Sequence, residues 1–218
     1  MSEPEHGAVS ERERGRFVVL EGNDGCGKST QAGRLVRRLE TAGLTVVATF
    51  EPGATEVGAT LRRVLLGGEL SVVPRAEALL MAADRAQHVS EVIEPALARG
   101  SWVVSDRFVG SSLAYQGRAR GLGVDEVAAL NRFATADLEP DLVVYLTAPL
   151  DVLRARQKVH RDRIESEGGD FLETVSTAYD DLARTLGWCV VDATPEPDLV
   201  EEQVWSAVAP LVDVKATS

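Results

Sequence analysis

Short apolar runs alternate along the chain with longer stretches of helical periodicity. FVVLEG (17–22), LTVVATF (44–50), SWVVSD (101–106), DLVVYLT (141–147) and GWCVVDA (187–193) read as buried strands, rich in valine and bounded by Gly, Pro or Asp. Helical patterns fall near 28–42, 56–66, 74–99, 111–136, 149–158, 170–185 and 197–210. Near-continuous apolar strands separated by helices predict an α/β fold with a five-stranded parallel sheet covered on both faces. Pro95 predicts a bend or break in the third helix.

The composition narrows this picture. A chain of 218 residues suits one domain, and 44% apolar with 26% charged residues is ordinary for a globule. No apolar run approaches the roughly 20 residues of a membrane helix. Residues 1–15 are polar and acidic, lack the apolar core of a signal peptide, and are expected to form a disordered tail. A net charge of -11 argues against a nucleic-acid or anionic-membrane surface, but leaves room for a local phosphate site. Cys26 and Cys189 are far apart and show no metal spacing, which suggests a reduced, cytoplasmic protein. His6, His88 and His160 form no ligand pair, so zinc is not expected.

The chemistry is concentrated in one stretch. Gly22-Asn23-Asp24-Gly25-Cys26-Gly27-Lys28-Ser29, followed by Thr30, satisfies G-x-x-x-x-G-K-[ST] between a strand and a helix. Bare backbone N–H groups and a helix N-terminus bind phosphate oxygens, and side chains there would block close approach. Lys28 supplies a cation for the β- and γ-phosphates of a nucleoside triphosphate, and Ser29 a hydroxyl for Mg²⁺. Motors, switches and small-molecule kinases share this loop, so the loop alone does not define the reaction.

Further candidates lie at other strand ends. Asp106 closes the third strand and would stand beside the loop, where a carboxylate can hold the metal or its water. Arg107 could clamp a second phosphate with a forked pair of bonds; a surface turn with a salt bridge would explain the same dipeptide. FEPGAT (50–55) and AADRAQH (82–88) are compatible with either site or structural roles. VLRARQKVHRDRIESEGG (152–169) is a basic stretch in an acidic chain, ending in a Gly pair.

Taken as an ordered set, these segments resemble the thymidylate kinases, within the P-loop nucleoside monophosphate kinases. The resemblance spans about 16–208 and rests on the phosphate loop, EPG-x-T, LLMAADRAQHV (79–89), DRFVGSSLAYQG (106–117), DRIE (162–165) and DFLETVSTAYDDLA (170–183). It implies a three-layer P-loop fold over 16–212 with a short basic lid at 152–169, transfer of a phosphoryl group from ATP to dTMP, and a homodimer. Arg107 would grip the acceptor phosphate and Arg85 read the thymine edge. Asp24 and Glu51 would shape the acceptor and metal region, Ser112 and Gln116 would face the base, and Tyr115 would lie under the sugar. The loop carries Asn23, Asp24 and Cys26 rather than an arginine, which makes Arg161 and Arg163 the candidate transition-state cations. Met81 stands where the family usually has an aromatic ring under thymine, so a kinase for another deoxynucleotide or nucleoside stays open as an alternative. A P-loop ATPase switch is a remoter one.

Overall fold

The computed structural model describes residues 14–67, 70–156 and 169–213. Most of the expected N-terminal tail and of the expected lid, Arg161 and Arg163 included, lies outside them.

Five strands form one parallel sheet: β1 (Phe17–Glu21), β2 (Val46–Phe50), β3 (Trp102–Asp106), β4 (Leu142–Thr147) and β5 (Cys189–Asp192), in the order β2-β3-β1-β4-β5. β1 is central and buried throughout. Alternation along it serves both faces of the sheet. Val18 and Leu20 join a cluster with Leu35 and Leu39 on one face, while Phe17 and Val19 meet Ile93, Leu97 and Phe108 on the other.

Helices cover those faces: α1 (Lys28–Thr41), α2 (Glu56–Leu66), α3 (Pro74–His88), α4 (Glu94–Ala98), α5 (Val109–Ser112), α6 (Val124–Thr135), α7 (Leu150–Arg156), α8 (Gly169–Leu186) and α9 (Pro197–Asp213). α1 turns Gln31, Leu35 and Leu39 inward at a four-residue spacing. Its outer side is tied to α9 by Arg34 with Glu201 and Asp198, and by Arg38, which pairs with Glu202 and lies over Trp205. α8 buries Leu172, Val175, Tyr179 and Leu182. Tyr179 stacks on Tyr145 of β4 at 5.4 Å.

Two expected helices differ in detail. Pro95 does not break its helix: a π-helical turn, Val89–Ile93, links α3 to α4 just before it. The wider turn accommodates a residue with no N–H to give. The stretch expected as one helix over 111–136 is two. α5 runs into a π-helical segment, Leu113–Ala119, and α6 begins only at Val124. Gly121 (φ 70°) and Gly123 (φ 94°) take left-handed backbone that ends one helix and redirects the chain into the next.

The sheet register sets the position of the chemistry. Leu20 is opposite Asp106, and Glu21 is opposite Tyr145. The loops after β1, β2 and β3 therefore open at one carboxyl edge, where the strand order reverses direction.

Candidate active site

The loop after β1 curls over the sheet edge. Gly22 has φ 142°, and a Cβ there would collide with the Leu146 carbonyl and lie 2.9 Å from Cys26 Sγ. The Cys26 side chain points into the core, 2% exposed. Gly27 caps α1 in left-handed conformation with no side-chain cap, and no acidic residue occupies the first turn. The helix thus presents uncapped N–H groups and its positive dipole end toward the loop, as an anion site requires. Lys28 Nζ donates to the Asn23 carbonyl at 3.0 Å, and Thr30 is exposed on α1.

Ser29 Oγ donates to Asp106 Oδ2 at 2.5 Å. Asp106 Oδ1 is buried and without a hydrogen-bond partner. A hydroxyl and an unsatisfied carboxylate oxygen form an all-oxygen donor set, which suits a hard divalent cation such as magnesium.

Asp24 joins the two halves of the site. Its Oδ1 lies 3.8 Å from Lys28 Nζ and accepts from Arg107 Nη2 at 2.5 Å; its Oδ2 accepts from Tyr115 OH at 3.2 Å. Burial would raise its pKa, but Arg107 and Lys28 more than offset that and hold it at about 2. Burial also opposes the charge on Arg107, and Asp24 again outweighs it, so that pKa stands above its ordinary value. Both groups are therefore charged at neutral pH.

A cleft of about 480 Å³ opens here, within the range of small-ligand sites. Asp24, Lys28, Ser29, Glu51, Met81, Arg85, Asp106, Arg107, Ser112, Tyr115 and Gln116 all line it. Their convergence from the ends of β1, β2 and β3, from α1, α3 and α5, and from the π-helical segment after α5 unites the segments singled out in the sequence. Arg156, in contrast, donates to the carbonyls of Ala193 and Thr194 at 2.7 and 2.9 Å.

Arg85 is more deeply committed than its sequence suggested. It is 2% exposed and gives hydrogen bonds to Glu51, Ser112, Asn131 and the Phe108 carbonyl, which among the described residues leaves one of its five N–H groups. Glu51 is held from both sides, by Arg85 Nε at 2.8 Å and His88 Nδ1 at 2.8 Å. His88 also contacts Thr49 Oγ1 at 2.6 Å, so the isolated histidine is a buried bridge. Gln116 donates to buried Glu77 at 2.9 Å.

Sequence reading missed Glu21 and its partners. Glu21 is fully buried and accepts from Phe108 N, Ser111 N, Ser111 Oγ and Tyr179 OH. Burial raises its pKa, while Arg107 and these donors pull the other way. The available signal was a carboxylate ending an otherwise apolar strand.

Fold and loop together define a P-loop nucleotide-binding protein. The thymidylate kinase family model matches residues 20–204. The chain is 49% identical over 187 residues, 82% of its length and 90% of the relative's, to a protein named thymidylate kinase from Synechococcus sp. strain CC9902. It is 47% identical over 203 residues, 91% of its length and 97% of the relative's, to one so named from Bordetella pertussis. The chain belongs to the thymidylate kinase family.

Proposed function

We propose that this protein transfers the γ-phosphoryl group of ATP to the 5′-phosphate of dTMP, giving dTDP and ADP. The observation that carries the reading is the meeting of Lys28 and Arg107, from opposite sides of one cleft, on the same Asp24 oxygen. Lys28 belongs to the triphosphate loop; Arg107 stands where an acceptor phosphate would face it.

An acceptor oxygen attacks the γ-phosphorus, and the bond from that phosphorus to the β,γ-bridging oxygen breaks. The acceptor monoester has a second pKa near 6, so at neutral pH it is largely dianionic and needs no strong base. The difficulty is bringing two polyanions together, and fixed cations address it by positioning and charge compensation. Lys28 and the backbone from Gly22 to Thr30 hold the donor phosphates, with Gly25 and Gly27 leaving the backbone bare. Arg107 orients the acceptor.

Ser29 and Asp106 are the residues that would hold Mg²⁺. When bound, that ion offsets charge on the β- and γ-phosphates. Arg161 and Arg163 are assigned to charge developing in the transition state, because the loop itself offers no arginine.

Base and sugar selection follow from the far wall. Met81 and Leu66 supply apolar surface, Ser112 and Gln116 polar edges, and the last N–H of Arg85 a donor for the thymine edge. Tyr115, held by Asp24, lies under the sugar and disfavours a ribose 2′-hydroxyl. A homodimer is part of this reading. It is supported by Val57, Leu79 and Phe133, which are 48%, 58% and 88% exposed on the neighbouring helices α2, α3 and α6.

Among the described residues no helix is long and apolar enough to cross a membrane. The proposed setting is the cytoplasm.

Initial rates with ATP and dTMP, dUMP, dGMP or thymidine test the proposal. The expected result is a clear preference for dTMP with stoichiometric dTDP and ADP. Equal use of the other acceptors, or ADP release with no phosphorylated acceptor, would contradict it.

A further inference from the structure

We infer that Glu21 is a positioning residue for phosphoryl transfer: its buried carboxylate directs the Ser111 and Tyr179 hydroxyls, and through them aims the Arg107 guanidinium. The inference deepens the proposed function and rests on Arg107 holding the acceptor phosphate.

Burying a carboxylate is expensive unless it is fully hydrogen-bonded. Glu21 is 0% exposed and does not line the cleft. Two of its bonds fix the chain that follows Arg107: Phe108 N and Ser111 N donate to Oε1 at 2.9 and 3.0 Å. The other two set proton directions. Ser111 Oγ donates to Oε2 at 2.7 Å and Tyr179 OH donates to it at 3.1 Å.

Each hydroxyl has a single proton. Ser111 Oγ and Tyr179 OH also lie 2.9 Å apart, where either could donate to the other; the Glu21 carboxylate draws both protons instead, and both oxygens then present lone pairs outward. Arg107 Nη1 donates to these two oxygens, at 2.9 Å to Ser111 and 3.2 Å to Tyr179. Asp24 takes one proton of Nη2. Among the described residues, that leaves the Nε proton and the second Nη2 proton without a hydrogen-bond partner. They share one edge of the guanidinium and form the fork that phosphate recognition uses.

The arrangement is packed in place. A Cβ on Gly110 would lie 2.8 Å from Glu21 Oε1 and 2.6 Å from Trp188 Cη2. The Tyr179 ring is held by its stack on Tyr145.

The isosteric change Glu21→Gln reverses the relay. Its amide oxygen still accepts from the two backbone N–H groups, but its NH₂ donates to the hydroxyls. One hydroxyl can then donate to the other, 2.9 Å away, but the remaining proton turns toward Nη1, donor against donor. Tyr179→Phe removes one of the two acceptors and keeps the stacked ring.

Steady-state rates and calorimetric dTMP affinities of the full chain, with thermal melts, test this. Glu21→Gln is expected to lower kcat/KM for dTMP on the order of 10²-fold while the KM for ATP stays within about threefold. Tyr179→Phe is expected to lose roughly tenfold toward dTMP with little change in melting temperature. Wild-type dTMP constants in either variant would overturn the inference. So would losses toward ATP and dTMP in equal measure, which mark a merely structural role. A wild-type protein inert toward dTMP sinks the proposed function itself, whereas an active wild type with unaffected variants sinks only the role of Glu21.

Discussion

Arg107 adopts φ 77°, a left-handed conformation that costs a residue with a side chain about 1–3 kcal/mol. Neighbours hold it there: its N–H donates to the Leu20 carbonyl at 2.9 Å, and its own carbonyl accepts from Ser105 Oγ at 2.7 Å. The bend turns the side chain from the strand direction into the cleft. Arg107→Ala is therefore expected to lower kcat/KM for dTMP by about 10³-fold or more, while ATP affinity changes far less. Lys28→Ala is expected to abolish turnover with little loss of folding stability. Steady-state kinetics and melting curves check both, and equal loss of ATP and dTMP use by the Arg107 variant would remove that residue from the acceptor side. That Lys28 and Ser29 line the cleft was legible in the sequence, because a G-x-x-x-x-G-K-[ST] loop holds them at a fixed spacing from its glycines. Glu21 and Tyr179 were not, because no spacing rule connects residues 158 positions apart that meet only through the sheet. Nor does an arginine in a helix reveal that four of its bonds are internal.

Between elements, α3 holds the turn that follows β2. Asp84 Oδ1 accepts from Gly53 N at 3.0 Å, while Asp84 Oδ2 is buried without a partner. Burial and the nearby Glu51 raise the Asp84 pKa to about 6. The sign follows from linkage: a folded pKa above the unfolded value near 3.9 means the folded state binds the proton more tightly. The protonated group favours folding fully below that unfolded value, and the advantage is lost as pH rises through about 6. Asp84→Asn keeps the acceptor for Gly53 and removes the charge. It is expected to melt above the wild type at pH 8, with the difference closing near pH 4. A variant less stable at pH 8 would contradict this. The strands were legible to within a residue or two, because fully buried parallel strands leave continuous apolar runs. The break at Gly121–Gly123 was not, because apolar periodicity continues on both sides of it. The π-helical turn before Pro95 was equally hidden, since proline signals a disturbance but not its resolution.

Across the whole molecule, the strand order places three loops at one edge and gives the site two sides. α1 brings the triphosphate loop from one face of the sheet. α3 and α5 bring the proposed acceptor wall from the other. The basic stretch 157–168, with Arg161 and Arg163, lies outside the described residues; its proposed part in the reaction rests on the family resemblance and on a phosphate loop without an arginine. A compound joining adenosine to thymidine through a pentaphosphate bridge tests whether the cleft has these two sides. Its bridge spans the proposed path of the migrating phosphorus, so tight occupation requires both nucleotide sites in one cleft. A two-sided cleft binds one molecule per chain by calorimetry, with inhibition competitive with both ATP and dTMP and strong weakening by either Lys28→Ala or Arg107→Ala. Competition with only one substrate, or two molecules bound per chain, would contradict it.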